Sequence, residues 1–401
     1  MMRRRDLLRV IPAGLGAAMV GRTGIAASAA DPVRKVVGYQ HFLALLADGS
    51  VVGWGRYLEK QLGEQAAQET RRRYGVAAPV RIELPGRAVD LAAGIYSSAA
   101  VLDDGSVWVW GQWQEGQPGT AIPQRLDALQ GIVQVTIEGS TAHALSEDGE
   151  LFSWGSRDGG VLGDGRVPAR WGESLPPVRS PIPATLLDGV RLSKLGVHTA
   201  GMAIREDGQV LQWPVPRGPE KSTDVWTPLT AQVVEVPLPA AAIDIASTGG
   251  ARLALLRDGT VWAWGWNLQG LWGIGKRADT NDPDRWRATP QQVPGVTQAV
   301  ALTSGTAGRH ALVLLRDGSL RGWGNTDWGQ IGAGVHGTDQ SRAVTPRISG
   351  VVRVWAAGNN SFALTRDGRF WSWGGTQDGA GLLGTQSNVP VAWPASLLQP
   401  A

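Results

Sequence analysis

The chain repeats one hydrophobic–polar pattern: a short alternating apolar run, an Asp-Gly pair, and a second alternating run. In the clearest copy, Asp258-Gly259 separates the runs Arg252–Leu256 and Thr260–Trp264. Asp-Gly in this setting predicts a β-hairpin, because both residues tolerate the positive φ of a tight turn. Side chains alternate along a strand, so the two tryptophans of the second run should share one face.

This pattern occurs seven times with a constant distance between turn and tryptophan. The turn pairs are Asp48-Gly49, Asp104-Gly105, Asp148-Gly149, Asp207-Gly208, Asp258-Gly259, Asp317-Gly318 and Asp367-Gly368. The tryptophans six residues after each Asp are Trp54, Trp110, Trp154, Trp213, Trp264, Trp323 and Trp373. Successive copies are 44 to 59 residues apart, a period typical of propeller blades. The constant phase predicts one shared packing slot for these rings.

Two further segments complete each repeat. A run ending in small residues, such as Asp90–Gly94, precedes the hairpin, and a Pro-led segment such as Pro290-Gln291 follows it. Because proline is tolerated at the start of an edge strand, we expect it to begin the outer strand. The sequence therefore predicts an all-β fold, a seven-bladed β-propeller of about four-stranded blades, over residues 30–401. Ring closure should place the segment near Val36 beside the seventh repeat.

Insertions follow the Trp-Gly step in most repeats, so their loops should lie on one face of the ring, often the binding face. The insertion Leu58–Arg73 ends in three arginines and should form a short helix or a loop on one rim. It is either a basic contact for an acidic partner or a solvated insertion.

Residues 1–29 have the features of an export leader: a charged start, a short apolar centre and Ala27-Ser28-Ala29. The motif that resembles a twin-arginine signal consists of Arg4, Arg5, Leu7 and Leu8. Arg3 occupies the place of the usual Ser or Thr. We expect a periplasmic or secreted protein, without membrane attachment after leader removal. The leader carries a net charge of +4, whereas the whole chain carries +3. The chain without its leader is therefore not basic, which argues against a nucleic-acid partner.

The repeat resembles that of the regulator of chromosome condensation (RCC1-like) family. The resemblance is carried by Gly38–Leu45, Ser361–Leu364 and Trp323–Gly332 and covers nearly all of the chain after the leader. It implies a seven-bladed β-propeller. The sequence departs from the family pattern where Pro214 replaces the Gly after Trp213, and where Ser, Thr, Ala or Asn replaces most of the repeat histidines.

The best-known member of that family is a nuclear exchange factor for a small GTPase. An exported chain should not meet that partner, so its activity is not carried across. Exported bacterial propellers of similar repeat type include β-lactamase inhibitory proteins, an analogy at the level of the fold only.

The motif search predicts no catalytic residue, no metal site and no cofactor. The chain has no Cys, and no pair of histidines has the spacing of a zinc site. The five histidines, at positions 41, 143, 198, 310 and 336, are interpreted mainly as hydrogen-bonded repeat elements. The seven turn aspartates are explained by their turns, and Asp158–Gly165 lacks the ligand spacing of a helical calcium loop.

Tryptophans outside the repeat slot are the main candidates for contacts. Most follow the Trp-Gly step, where exposed rings would bind a protein partner or stack against sugars. The partner-binding candidates are Trp113, Trp226, Trp266, Trp272, Trp286 and Trp328. The alternative is that these rings pin long loops onto the propeller.

The first hypothesis is an exported, non-catalytic, monomeric propeller that binds a protein through its loop face, as an inhibitor or a scaffold. The second is a carbohydrate-binding propeller that uses the same rings as stacking platforms. The third is a cofactor-dependent propeller enzyme, for which the sequence offers no acid–base pair.

Overall fold

The computed structural model describes residues 31–69, 75–114, 116–157, 160–167, 175–196, 201–213, 215–216, 229–278, 282, 285–305, 309–375 and 387–393. The predicted leader and its motif residues Arg4, Arg5, Leu7 and Leu8 lie outside this part of the chain. So do the candidate Trp226 and the arginines at 71–73.

Seven four-stranded antiparallel sheets follow one another in chain order, so the predicted seven-bladed β-propeller is confirmed. Blades one and two contain β1 (Val33–Gly38), β2 (His41–Leu46), β3 (Val51–Arg56), β4 (Gly75–Ile82), β5 (Ala88–Ala93), β6 (Ser97–Leu102), β7 (Val107–Gly111) and β8 (Thr120–Arg125). Blades three and four span β9 (Ile132–Glu138), β10 (Thr141–Ser146), β11 (Leu151–Gly155), β12 (Val178–Pro183), β13 (Leu192–Leu195), β14 (Met202–Arg205), β15 (Val210–Gln212), β16 (Val215–Pro216), β17 (Leu229–Thr230) and β18 (Val234–Glu235).

The last three blades contain β19 (Ala242–Thr248), β20 (Ala251–Leu256), β21 (Val261–Trp266), β22 (Trp286–Gln292), β23 (Ala299–Gly305), β24 (His310–Leu315), β25 (Leu320–Gly324), β26 (Gln340–Val344), β27 (Val351–Ala357), β28 (Asn360–Thr365), β29 (Phe370–Gly374) and β30 (Ser387–Ala392). In blade four, β16 and β17 pair with each other as a separate two-stranded sheet. A helix α1 (Gly63–Glu69) lies in the first insertion, as predicted, and a 3-10 helix (Thr185–Leu187) precedes blade four.

The first strand of each blade is the inner one, since first strands of neighbouring blades contact each other around the central axis. Blade one is built only from the start of the described chain and blade seven only from its end. The predicted closure is confirmed, because β1 lies beside β27. Aromatic rings fill this seam: Trp54 is 5.3 Å from Trp393 and Phe42 is 5.6 Å from Phe362, centroid to centroid.

The hydrophobic core is divided into seven clusters, one for each seam between neighbouring blades. Each cluster contains one repeat tryptophan, which packs towards the preceding blade. The seven rings are all at most 2 % exposed, so the predicted shared slot is an inter-blade slot. A blade alone would leave this ring in water, and the closed ring of blades is therefore the unit that folds.

The Asp-Gly turns act as predicted. In the first turn the Asp48 carboxylate accepts the Ser50 hydroxyl at 2.7 Å and the Ser50 backbone N–H at 2.9 Å, and these hydrogen bonds hold the pKa of Asp48 below its usual value. The turn also joins the blades, because the Gly49 carbonyl accepts the N–H of Ala88 in the next inner strand at 2.9 Å. We call the end of the ring that carries these turns the turn face. The opposite end, with the connections between third and fourth strands, is the loop face.

The prediction that a proline begins each outer strand is wrong. Pro79 lies inside β4, at the point where the register against β3 shifts between Gly53 and Gly55. Pro390 lies at the matching place in β30. An outer strand forms hydrogen bonds on one side only, and the irregular register removes the remaining need for an N–H at this position.

Candidate functional site: the loop face

A four-residue segment in the third-to-fourth connection fixes the loop face to the next blade. It recurs as Lys60–Gly63, Gly160–Gly163, Gly270–Gly273 and Gly329–Gly332. The carbonyl of its second residue accepts the indole N–H of the next blade's repeat tryptophan. These bonds are Trp110 to Gln61 (2.8 Å), Trp213 to Val161 (3.0 Å), Trp323 to Leu271 (2.8 Å) and Trp373 to Gln330 (2.8 Å). The loops are thus held by backbone acceptors that do not depend on side-chain identity.

The third residue of this segment is a core position, which corrects the candidate Trp272. The residues there are Leu62, Leu162, Trp272 and Ile331, each at most 1 % exposed. The Trp272 ring lies in the seam between blades five and six, with the Arg287 guanidinium carbon 5.6 Å from its centroid. A buried ring cannot contact a partner directly. Alignment of Gly270–Gly273 with Gly329–Gly332 was the signal that could have revealed this.

Trp266 and Trp286 lie together at the edge of blade five. They are cross-strand neighbours in β21 and β22; Trp286 is 9 % exposed and Trp266 is half-buried. The Arg285 guanidinium carbon lies 5.7 Å from the Trp266 ring centroid, which covers part of that ring. Trp286 is therefore a buried neighbour of the site, whereas part of the Trp266 ring remains exposed on the loop face.

Trp328 is half-buried in the blade-six loop, whose backbone is held by a polar network. The backbone N–H of Trp328 donates to the Gln330 side-chain oxygen at 2.9 Å. The Asn325 amide donates to Asp327 (2.8 Å) and to Asp339 (3.1 Å). Burial raises the pKa of Asp339, against the opposing effect of Arg277, whose Nε is 3.6 Å from that carboxylate. The network links the loops of blades five and six.

Blades one and two carry a second exposed cluster, which we call the loop patch: Leu58, Tyr96 and Trp113. Leu58 is 40 % and Tyr96 38 % exposed, while Trp113 is half-buried against the core of blades two and three. The backbone N–H of Gln112, next to Trp113, donates to the Tyr96 carbonyl at 2.8 Å. Gly119 in the same connection packs against the backbone of Glu59, next to Leu58.

Sequence reasoning missed Leu58 and Tyr96. Tyr96 lies in the turn between the first and second strands, which emerges on the same face as the third-to-fourth connection. That placement was available from the strand count, but the exposure of the two side chains was not.

The histidines have the predicted structural role where the structure describes their contacts. His41 Nε2 lies 2.8 Å from Ser98 Oγ, and Ser98 donates its hydroxyl proton to the Gln61 carbonyl at 3.0 Å. His41 must therefore donate through Nε2, so it cannot act as the base that activates this serine. Burial lowers the pKa of His41 to about 3. His310 and Ser361 repeat the arrangement at 2.8 Å between blades six and seven.

Within the described residues, no group of three or more His, Cys, Asp or Glu side chains could hold a metal ion. No helix in this part of the chain is long and apolar enough to cross a membrane.

The chain is similar to several proteins with RCC1-like repeats. It is 26% identical over 323 residues to the ultraviolet-B receptor UVR8 of Arabidopsis thaliana, which covers 66% of this chain and 70% of UVR8. It is 25% identical over 362 residues to protein pim1 of Schizosaccharomyces pombe, covering 81% of this chain and 66% of pim1. The match to the ubiquitin-protein ligase HERC2 of Homo sapiens spans only 6% of that protein. No protein-family model matches the chain.

Solved structures support the same fold. Prp20p from Saccharomyces cerevisiae superposes with a TM-score of 0.65 at 20% identity, covering 81% of this chain and 80% of Prp20p. Human WBSCR16 gives 0.67 at 18% identity, covering 86% of this chain and 93% of that one. The chain is thus similar to RCC1-like propellers in both repeat sequence and fold.

Proposed function

We propose that this RCC1-like propeller is an exported, non-catalytic protein that binds a protein partner through its loop face. The observation that carries the proposal is the backbone fixation of that face. Four connections accept an indole N–H from the next blade, so side chains on them are presented in fixed positions. A preordered surface loses little conformational entropy on binding, which favours affinity.

Related propellers support a protein partner. One solved structure describes Prp20p with its binding properties to Gsp1p and histones, and another contains Kap60 bound to yeast RCC1. Those partners belong to those proteins. For this chain, the proposal transfers only the binding of another protein to a propeller.

The contact residues we propose are those with an open aromatic or aliphatic surface on the loop face: the loop patch, and Trp266 with Trp328. Large rings held by a fixed backbone are typical binding hot spots. Truncating one of them to Ala costs about 2 kcal/mol or more of binding free energy. Trp272 and Trp286 support this surface from the core.

The test begins with native mass spectrometry of the protein purified gently from its own cell envelope. An adduct of protein size identifies the partner, and binding of that partner to variants is then measured by calorimetry. Tyr96→Ala and Trp266→Ala should each weaken binding roughly tenfold or more while the Tm changes by a few degrees. Trp272→Ala is the matched control for a core ring and should lower stability by about 3–5 kcal/mol.

Unchanged affinity in Tyr96→Ala and Trp266→Ala would contradict the loop-face proposal. An adduct of a few hundred daltons instead of a protein would favour the carbohydrate or cofactor hypotheses. The same spectra test export, since an exported chain should have a mass that begins near Ala30, whereas a mass that includes Met1 would contradict leader cleavage.

A further inference from the structure

The turn face has two unlike halves. The residue just before each turn aspartate is acidic in blades two to four and arginine in blades five to seven. The acidic turns are Asp103-Asp104, Glu147-Asp148 and Glu206-Asp207, and the arginine turns are Arg257-Asp258, Arg316-Asp317 and Arg366-Asp367. All of these side chains are exposed. The turns of the two halves therefore differ in charge at this position.

Exposed valines accompany the acidic half. Val89 is 45 % and Val133 is 50 % exposed, although both belong to inner strands. Each is the extra residue of a β-bulge, where the pairing register shifts at the start of the strand. A bulged residue leaves the regular alternation, so its side chain is directed to solvent at the turn face.

The acids flank Val133 on both sides. The Gly105 carbonyl of the Asp104 turn accepts the N–H of Ile132 at 3.0 Å, one residue before Val133. On the other side, the N–H of Glu147 donates to the Gly131 carbonyl at 2.8 Å. We call Val89, Asp103, Asp104, Val133, Glu147 and Asp148 the acidic–apolar patch.

The patch has unused charge. Among the described residues, none of its four carboxylates lies within ion-pair distance of an Arg or Lys. In blade four the matching acids are already paired, Glu206 with Arg191 at 3.0 Å and Asp207 with Arg205 at 2.7 Å. The patch thus offers apolar surface surrounded by four carboxylates that form no ion pair with a described Arg or Lys, while Asp104 accepts hydrogen bonds from Ser106.

We propose that the patch docks the N-terminal segment of this same chain, residues 3–22, while that segment is attached. The segment combines Arg3, Arg4, Arg5, Arg9 and Arg22 with the apolar stretch Val10–Val20. Its net charge of +4 complements the four carboxylates of the patch, and its apolar residues match the two valines. Leader removal would uncover the patch.

The attachment point lies on the correct face. The Pro32 carbonyl accepts the N–H of Ala47, next to the first turn, at 3.1 Å. The Asp31 carboxylate lies 3.4 Å from Nε of Arg353 in blade seven. The eight residues between the docked segment, which ends at Arg22, and Asp31 span up to roughly 30 Å. Blade three is two sheets away from blade one, about 20 Å at 10 Å per packed sheet, so the linker reaches the patch.

The chain contains a comparison site with the same backbone geometry, at which the charges of two arginines and two aspartates cancel. Val300 is the bulged residue of β23, and its surroundings have the same backbone bonds as those of Val133. Arg316 takes the place of Glu147 there, and Arg257-Asp258 takes the place of Asp103-Asp104. Val300 is half-buried against the core of blades six and seven, whereas Val133 is 50 % exposed, so yields are compared per attached label. With that correction Val300 controls for the bulge and the side chain while the charge differs.

The test uses the full chain from Met1, with its leader intact. The protein has no Cys, so Val133→Cys and Val300→Cys each provide one labelling site. Each variant is labelled with a benzophenone maleimide and illuminated, and the cross-linked peptides are mapped by mass spectrometry. We expect position 133 to cross-link to residues 3–22 of the same molecule with a yield roughly fivefold above that of position 300 at low salt, and to lose most of that excess at about 0.5 M salt.

Charge variants complete the test. Glu147→Arg places in blade three the residue type that blades five to seven already carry, and it should reduce the yield from position 133 by roughly threefold. Glu64→Arg, an equal charge change on the exposed start of α1 at the loop face, should leave the yield unchanged. Equal yields at 133 and 300, or cross-links to a second molecule only, would overturn the proposal. So would an effect of Glu64→Arg as large as that of Glu147→Arg. None of these outcomes depends on a loop-face partner.

Discussion

Two seams between blades supply a hydrogen-bond acceptor for a buried indole N–H in different ways. Between blades six and seven, Trp373 donates its indole N–H to the backbone carbonyl of Gln330 at 2.8 Å, and Gly332 lies directly against that ring. Between blades four and five, Trp264 donates to the side-chain oxygen of Gln212 at 3.0 Å. The repeat motif is intact in the first case and broken in the second. In both of these seams the buried indole N–H has an acceptor, and the residue that supplies it differs.

The reason lies in the end of the third strand. In blade four the chain passes from Trp213 to Pro214, so the Gly-based loop segment that supplies the carbonyl in four other seams is not encoded. A buried indole N–H without a partner costs about 1–3 kcal/mol. Gln212, 7 % exposed, supplies the acceptor from the strand itself.

The largest expected effect concerns the intact seam. Gly332→Ala would place a Cβ 2.6 Å from Trp373 Nε1, in addition to the strain of φ +78°. The loop cannot yield without losing the Gln330 acceptor, so we expect a loss of about 3 kcal/mol in the free energy of unfolding, measured by urea denaturation. Gly337→Ala is the control in the same loop: its φ is +70° but no atom lies within 4 Å. It should cost about 1 kcal/mol, and equal losses would contradict the packing argument.

The seam between blades one and two, which contains the His41–Ser98 pair, should respond to pH. His41 donates to Ser98 at the seam of blades one and two as His310 does to Ser361, whereas Arg252 takes the serine's place in blade five. The pKa of His41 is lowered to about 3 in the fold against an ordinary 6.5. Below pH 6.5 the unfolded chain therefore binds a proton that the folded chain excludes. Stability is fully present above pH 6.5 and falls by about 1.4 kcal/mol per unit towards pH 3.

His41→Gln removes this titration and keeps a side-chain donor for Ser98. Denaturation measured at pH 7 and pH 5 should show that the variant loses about 2 kcal/mol less than the parent protein over that range. An identical loss in both proteins would show that His41 does not contribute to acid sensitivity.

The smallest expected loss of stability is at the seam between blades four and five. Gln212→Leu keeps the bulk of the side chain but leaves the Trp264 N–H unpaired, so we expect a loss of about 1–2 kcal/mol. Val161→Ala is the matched change at an acceptor of the backbone type, and it leaves the carbonyl that binds Trp213 in place. Its cost should stay below about 1 kcal/mol because only part of a half-buried side chain is lost. A larger loss for Val161→Ala would contradict the distinction between the two kinds of acceptor.

Much of the loop face could be predicted, and the exceptions have a common cause. The loops follow the Trp-Gly step and emerge on one face, as the repeat count implied. Trp272 was assigned to the surface because it lies in a loop, but the segment Gly270–Gly273 folds back into the seam. Tyr96 and Leu58 belong to no sequence motif, and their exposure follows only from how two blades meet.

The sequence alone determined the number of blades, the hairpin turns and the repeat tryptophans, because these depend on short-range spacing and on the φ preferences of Asp-Gly. Only the tertiary structure decided against which neighbouring blade each tryptophan packs, which loop residues are buried in the core and which face carries charges without ion-pair partners. Those properties arise from contacts between residues about fifty positions apart, such as Trp110 with Gln61 and Trp373 with Gln330. A local pattern cannot encode the packing of one blade against the next, since burial is a property of the seam.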